Sequence, residues 1–129
     1  MARVLLDTHA FLWFAVDDPL LLAAARSAIS DPANEVLVSV ATYWEIAIKV
    51  SKGKYVLSEP FPTFMEDQIT AYHFTILPIE PRHTAAVIGL PFHHKDPFDR
   101  MLVAQAMVEN VPLVSCDSDI RLYGVPMIW

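Results

Sequence analysis

The sequence predicts an α/β fold of three layers, with helices on both faces of a central parallel sheet of four to five strands. Three observations carry that expectation. Short apolar runs of strand length alternate with longer helical segments along all 129 residues, as in a parallel sheet whose crossovers are helices. The stretch 93–119, HHKDPFDRMLVAQAMVENVPLVSCDSD, compresses the pattern into one helix and one strand, with acids at the start of the helix and after the strand. A further acid, Asp7, ends the first apolar run, and ligands of open α/β sheets gather outside the carboxyl ends of strands.

Taken in order, Val4-Leu5-Leu6 reads as a first, central strand with Asp7-Thr8 at its tip. Residues 10–16 continue as an apolar helix, broken by Asp17-Asp18-Pro19, and residues 20–29 form a second, stopped by Ser30-Asp31-Pro32. Residues 35–39 make the second strand. Ser39 caps a helix that runs to about residue 52, and Gly53 ends it. After a Pro-rich loop come a helix at 63–73, a strand at 75–79 and a short helix at 82–88. Asp96-Pro97 opens the helix 97–109, since Asp caps free N–H groups and Pro suits the first helical position. A strand at 112–115, a helical turn at 118–122 and a last strand at 126–129 complete one domain over residues 1–129, without repeats or linkers.

Composition narrows the function classes. Hydrophobic residues make up 54% and charged ones 19%, which suits a full core and leaves apolar surface for a partner. The longest apolar runs stop well short of a membrane span and no signal-peptide pattern precedes Asp7, so the expectation is a cytoplasmic protein with no membrane partner. The single Cys116 excludes an internal disulfide and a Cys-based zinc site. A net charge of −6 argues against a nucleic-acid ligand, unless several acids surround metal ions and are neutralised locally.

Each acid has a plain alternative. Asp7 can cap the following helix, Asp96 is the cap of the helix at 97, and Asp117 can cap the turn at 118–122. Asp119 can be ordinary surface charge. Glu45 lies on a polar face with Thr42, Lys49 and Lys52, where a solvated Glu–Lys pair at i, i+4 explains it. Asp99 fits least easily: it heads a stripe of Leu102, Val103 and Ala106, a costly place for a carboxylate without a nearby cation. Together, Asp7, Glu45, Asp99 and Asp117 all map to one edge of the predicted sheet. Oxygen donors without His or Cys spacing favour Mg²⁺ or Mn²⁺ over zinc, and such a site suits phosphodiester hydrolysis.

The segments LLDTHAFLW (5–13), SVATYWEIAIK (39–49), DPFDRMLVAQA (96–106) and PLVSCDSDI (112–120) resemble, in order and spacing, the PIN domain family, and most of all its small bacterial VapC-type members. The resemblance covers essentially the whole chain. It implies a PIN-like three-layer fold and a Mg²⁺- or Mn²⁺-dependent ribonuclease. It also implies the toxin of a toxin–antitoxin pair, with an antitoxin partner and often a homodimer. Matched motif to motif, the family's four acids fall on Asp7, Glu45, Asp99 and Asp117. Asp99 rather than Asp96 matches because it directly precedes the helix pattern, and Asp117 rather than Asp119 because Ile120 follows it by three. Thr8, Ser115 and Asp119 are candidates for supporting roles around these acids.

Lys49, Lys52, Lys54 and Arg100 are candidates for contact with an RNA backbone, although lysines also suit a helix C-terminus. His93, His94 and Lys95 could meet phosphate or be plain surface. Trp13 and Phe14 are expected in the core, with a lesser claim on an antitoxin groove, and Cys116 is expected to be inert packing. A phosphate-signalling receiver domain is disfavoured because no middle strand ends in Asp and no Lys follows residue 95. An aspartate-nucleophile phosphatase would need an acid where His9 stands. A catalytically silent domain of the same fold, binding RNA or a partner, is the remaining alternative.

Overall fold

The computed structural model describes residues 2–129. Five strands, β1 (Arg3–Leu6), β2 (Glu35–Ser39), β3 (Thr75–Leu77), β4 (Leu113–Val114) and β5 (Met127–Ile128), form one parallel sheet in the order β3-β2-β1-β4-β5. Seven helices connect them: α1 (Thr8–Ala15), α2 (Ala23–Ser30), α3 (Val40–Ser51), α4 (Phe61–Ala71), α5 (Pro81–Ile88), α6 (Pro97–Glu109) and α7 (Ser118–Arg121).

The three layers follow from alternation along the strands. Val4, Leu6, Val36, Val38 and Val114 face one core, completed by Phe11, Ala25, Ile29, Phe64 and Met65 from α1, α2 and α4. Leu5, Leu37, Leu77 and Leu113 face the other, completed chiefly by Leu102, Val103 and Ala106 of α6. Successive side chains of a strand point to opposite faces, so the part of a central strand buried on both must be apolar, as Val4-Leu5-Leu6 of β1 is after the exposed Arg3. Phe11 is almost completely enclosed, and truncating it to Ala is worth about 3–5 kcal/mol.

The strand order places the site. From β1 the chain moves outward through β2 to β3, then returns to β4 on the other side of β1. That reversal opens a crevice at the carboxyl ends of β1 and β4, the usual ligand position in such sheets. Asp7 directly follows β1, and Asp117 follows β4 by three residues.

The element order agrees with the sequence reading, and the differences are at boundaries. Helix α1 starts at Thr8 rather than residue 10, because Asp7 accepts the Ala10 N–H. Helix α2 starts late, at Ala23, because Asp18 first binds the Leu20 N–H through its side chain and the Leu21 N–H through its carbonyl, forming a turn. Helix α4 starts at Phe61, with Pro62 fitted into its first turn. Strands β3, β4 and β5 are shorter than their apolar runs, since only the paired residues qualify. Among the described residues no helix is long and apolar enough to cross a membrane.

Candidate active site

Four side chains cap helices around the crevice. Asp7 receives the Ala10 N–H at 2.7 Å, and Ser39 receives the Ala41 N–H at 3.0 Å. Asp96 receives the Phe98 and Asp99 N–H groups at 2.8 and 3.1 Å. Asp117 receives those of Asp119 and Ile120 at 2.8 and 3.0 Å. The capping roles expected of Asp7, Asp96 and Asp117 are therefore real. Asp7 and Asp117 each cap through Oδ1, which leaves the second oxygen outside the cap. A capping role and a ligand role are compatible in one carboxylate.

Asp99 does not close a capping box with Asp96. Its Oδ2 instead accepts His94 Nε2 at 2.9 Å. Burial, first of all, and then the charge of Asp96 push the Asp99 carboxyl up to about 7; the His94 bond works against this, and Glu45 and Asp117 add to it. Asp7 is also raised, by burial above all and in small part by Asp117, while the Ser115 hydroxyl and the Ala10 N–H oppose the rise. Asp7, Asp117, Asp99 and Glu45 thus form a chain of groups that feel one another's charge.

Glu45 corrects the sequence reading. It is not on a solvated face: its side chain is 5% exposed, beside the fully buried Thr42. Thr8 Oγ1 donates to Glu45 Oε1 at 2.7 Å and lies 3.3 Å from the Thr42 hydroxyl, while Lys49 Nζ donates to Glu45 Oε2 at 2.9 Å. Both oxygens are engaged, so Glu45 is held by partners of its own while its charge still reaches Asp99. The i, i+4 ion pair exists, but it is turned inward because α3 starts at the crevice edge. Lys49 is bound further by the Tyr55 hydroxyl at 3.3 Å; burial disfavours its charged form, yet the Glu45 and Tyr55 contacts outweigh that and raise its pKa. Lys52 and Lys54 remain exposed at the end of α3.

Arg100 is a second correction. It is buried and donates to Pro91 O at 2.8 Å, the Tyr123 hydroxyl at 3.0 Å and Leu90 O at 3.3 Å. A guanidinium committed to backbone carbonyls in the interior is not available to an RNA phosphate. Cys116, expected as packing, is exposed, because it follows β4 where the chain leaves the sheet. Trp13 and Phe14 are half-buried against the first core, with the Trp13 ring 5.7 Å from that of Trp129.

His94 is the residue that sequence reasoning treated too lightly. Its ring stands between two parts of the cluster. One ligand atom each from His94, Asp96 and Asp99 falls within 4.8 Å of the others, and so does one each from His94, Asp117 and Asp119. Asp7 and Glu45 stand outside both groups. Asp119, half-exposed, reaches to 3.7 Å from His94 Nδ1. Burial lowers the His94 pKa, but the Asp99 bond and the charges of Asp99, Asp117 and Asp119 outweigh it, so the net shift is upward. The nearest signal in the sequence is position: His94 comes two residues before the α6 cap. Ser115, fully buried, receives the Asp117 N–H at 3.1 Å.

The arrangement is an oxygen-rich, partly desolvated anionic crevice at a sheet switch point. Crowded carboxylates of this kind fit a hard divalent cation, which offsets the burial and, after it, the mutual repulsion that raise Asp7 and Asp99.

The chain belongs to the PIN domain family, which it matches over residues 4–125. Within that family its likeness is to VapC-type toxin ribonucleases. It is 29% identical over 127 residues to Ribonuclease VapC22 of Mycobacterium tuberculosis, covering 98% of this chain and 95% of that one. A shorter match, 33% over 60 residues, is to Ribonuclease VapC16 of the same organism. Among solved structures, VapBC2 from Rickettsia felis bound to a promoter DNA fragment superposes with a TM-score of 0.74 at 14% identity, covering 97% of this chain and 96% of that one. FitAcB from Neisseria gonorrhoeae superposes with a TM-score of 0.62 at 17% identity, covering 96% and 95%. At such identities the likeness is one of fold, and it agrees with the five-stranded parallel sheet.

Proposed function

We propose that this chain is a Mg²⁺- or Mn²⁺-dependent endoribonuclease and the toxin of a toxin–antitoxin pair, working in the cytoplasm as one domain over residues 1–129. The observation that supports this most is the convergence of carboxylates from four elements at the switch-point crevice, with Asp99 pushed up to about 7. Asp7, Asp99 and Asp117 would hold the cation, with Glu45 at the rim. A divalent ion there supplies Lewis acidity and a water of lowered pKa for phosphodiester hydrolysis. Thr8 fixes Glu45 by its 2.7 Å bond, Ser115 ties the start of α7 to the end of β4, and Asp119 adds charge beside His94. Lys52 and Lys54, exposed past the far end of α3, could follow an RNA backbone that extends beyond the crevice.

Partners follow from two apolar surfaces. A groove of about 500 Å³ lined by Leu12, Trp13, Val16, Tyr55, Val56 and Phe64 suits an apolar helix or strand of an antitoxin. Trp44, Ile88 and Phe92, exposed by 59, 87 and 86%, suit the face of a homodimer.

The test is cleavage of a structured RNA by purified protein in Mn²⁺ with and without EDTA, beside growth arrest on induction of wild type and Asp7→Asn. Cleavage abolished by EDTA, with arrest lost in the variant, is the expected result. RNA binding with no cleavage in either buffer would favour the silent-domain alternative.

A further inference from the structure

We infer that His94 is a positioning residue: its Nε2–H holds Oδ2 of Asp99 and so presents the other carboxylate oxygen to the divalent cation. The inference rests on the reading of Asp99 as a cation ligand.

The geometry assigns the proton. His94 Nδ1 accepts the Lys95 N–H at 3.1 Å, so Nε2 is the nitrogen that donates to Asp99, at 2.9 Å. The backbone that carries the imidazole is also held in place. The His94 backbone N–H donates to the Tyr123 hydroxyl at 3.0 Å, and Arg100 donates to the same hydroxyl at 3.0 Å. Arg100 also binds Pro91 O at 2.8 Å and Leu90 O at 3.3 Å, which fastens the start of the 90–96 loop onto α6. The buried arginine that RNA cannot reach therefore has a use: it builds the platform from which His94 meets Asp99. Among the described residues the imidazole is the hydrogen-bond donor to the Asp99 carboxylate, and without it no such bond fixes which oxygen faces the crevice. Hydrogen-bond partners of a ligating carboxylate orient it, and losing one commonly costs about 10–100-fold in metal affinity.

Calorimetric titration with Mn²⁺, free of RNA and at one fixed pH, tests this on wild type, His94→Ala, His94→Gln and Asp99→Asn. The Gln amide nitrogen can occupy the place of Nε2 and keep the donor. We expect His94→Ala to bind Mn²⁺ roughly 10–100-fold more weakly, and His94→Gln to stay within roughly three-fold of wild type. Far-UV circular dichroism and the metal-free melting temperature confirm that both variants are folded. Equal or tighter Mn²⁺ binding by His94→Ala would overturn the inference, because the ring would then act only as a competing positive charge. Equal weakening in both variants would overturn it as well, because donation from the Nε2 position would not be what matters. Wild-type affinity in Asp99→Asn is a separate failure, that of the ligand reading beneath it.

Discussion

The molecule contains two histidine–carboxylate pairs of the same length with opposite surroundings. At the crevice, His94 Nε2 lies 2.9 Å from Asp99 Oδ2. At the other edge of the sheet, His83 Nε2 lies 2.9 Å from Glu109 Oε2. Around Glu109 stand Arg82 at 2.6 Å and Arg3 at 3.5 Å, and Arg3 also pairs with Glu35 across the β1–β2 register. The His83 bond, then Arg82, hold the Glu109 carboxyl below its ordinary value against the opposing effect of burial. Asp99 has Asp96, Glu45 and Asp117 as its charged neighbours and is pushed the other way. A histidine beside a carboxylate is thus no mark of function. The sign of the surrounding charge separates a network that ties the fold together from one that waits for a cation.

The largest expected contrast is in RNA cleavage. Asp99→Asn keeps the shape of the residue but removes the charge, and cleavage in Mn²⁺ should fall by roughly 100-fold or more, equivalent to about 2.7 kcal/mol of barrier. Glu109→Gln should cleave like wild type. Asp96→Asn should keep most activity, because Asn is itself a good cap. A dead Asp96 variant beside an active Asp99 variant would reverse the roles assigned to the two neighbours.

Ligand-linked stability should separate the two ends next. A cation bound only by the folded state stabilises by about 2.7 kcal/mol at a hundred times its dissociation constant. Millimolar Mn²⁺ should therefore raise the melting temperature of wild type and of Glu109→Gln. It should leave an Asp7→Asn/Asp99→Asn double variant almost unchanged, and an equal rise in all three would indicate nonspecific ion binding.

Without metal the order of stability should invert. Glu109→Ala leaves the fully buried His83 ring donor without its acceptor and should destabilise by about 1–3 kcal/mol in urea. Asp99→Asn removes a carboxylate whose charged form is disfavoured by burial and then by neighbouring charge, and should stabilise the metal-free protein at pH 8.

The smallest effect is the pH dependence, and its sign differs between the pairs. Asp99 holds its proton in the fold up to about 7 but releases it near 3.8 in the unfolded chain. The folded state therefore binds more protons between those values, and the Asp99 contribution to stability falls as pH rises through that window. Glu109 has a lowered pKa in the fold, so its contribution is complete above the ordinary value of 4.5 and is lost as pH falls through the lowered one. Urea titrations of wild type, Asp99→Asn and Glu109→Gln at pH 3, 4, 5.5 and 7 without metal should give difference slopes of opposite sign, below pH 4.5 for Glu109 and between pH 4 and 7 for Asp99.

Much of this was legible along the chain. The strand–helix alternation, the capping of α1, α3, α6 and α7 by Asp7, Ser39, Asp96 and Asp117, and the distinction between Asp96 and Asp99 all rest on residues within a few positions of one another. Local signals of that kind survive in a sequence because backbone geometry alone decides them. The tertiary structure decided what depends on distant partners. Glu45 became buried because Thr8, 37 residues away, supplies a donor at the crevice edge. Arg100 became a platform because Tyr123 and the 90–96 loop close over it. His94 and His83 are each 2.9 Å from a carboxylate, and neither that distance nor the imidazole itself tells them apart. The charges gathered around each by the parallel sheet do, because electrostatic neighbours are set by the crossing of elements rather than by order along the chain.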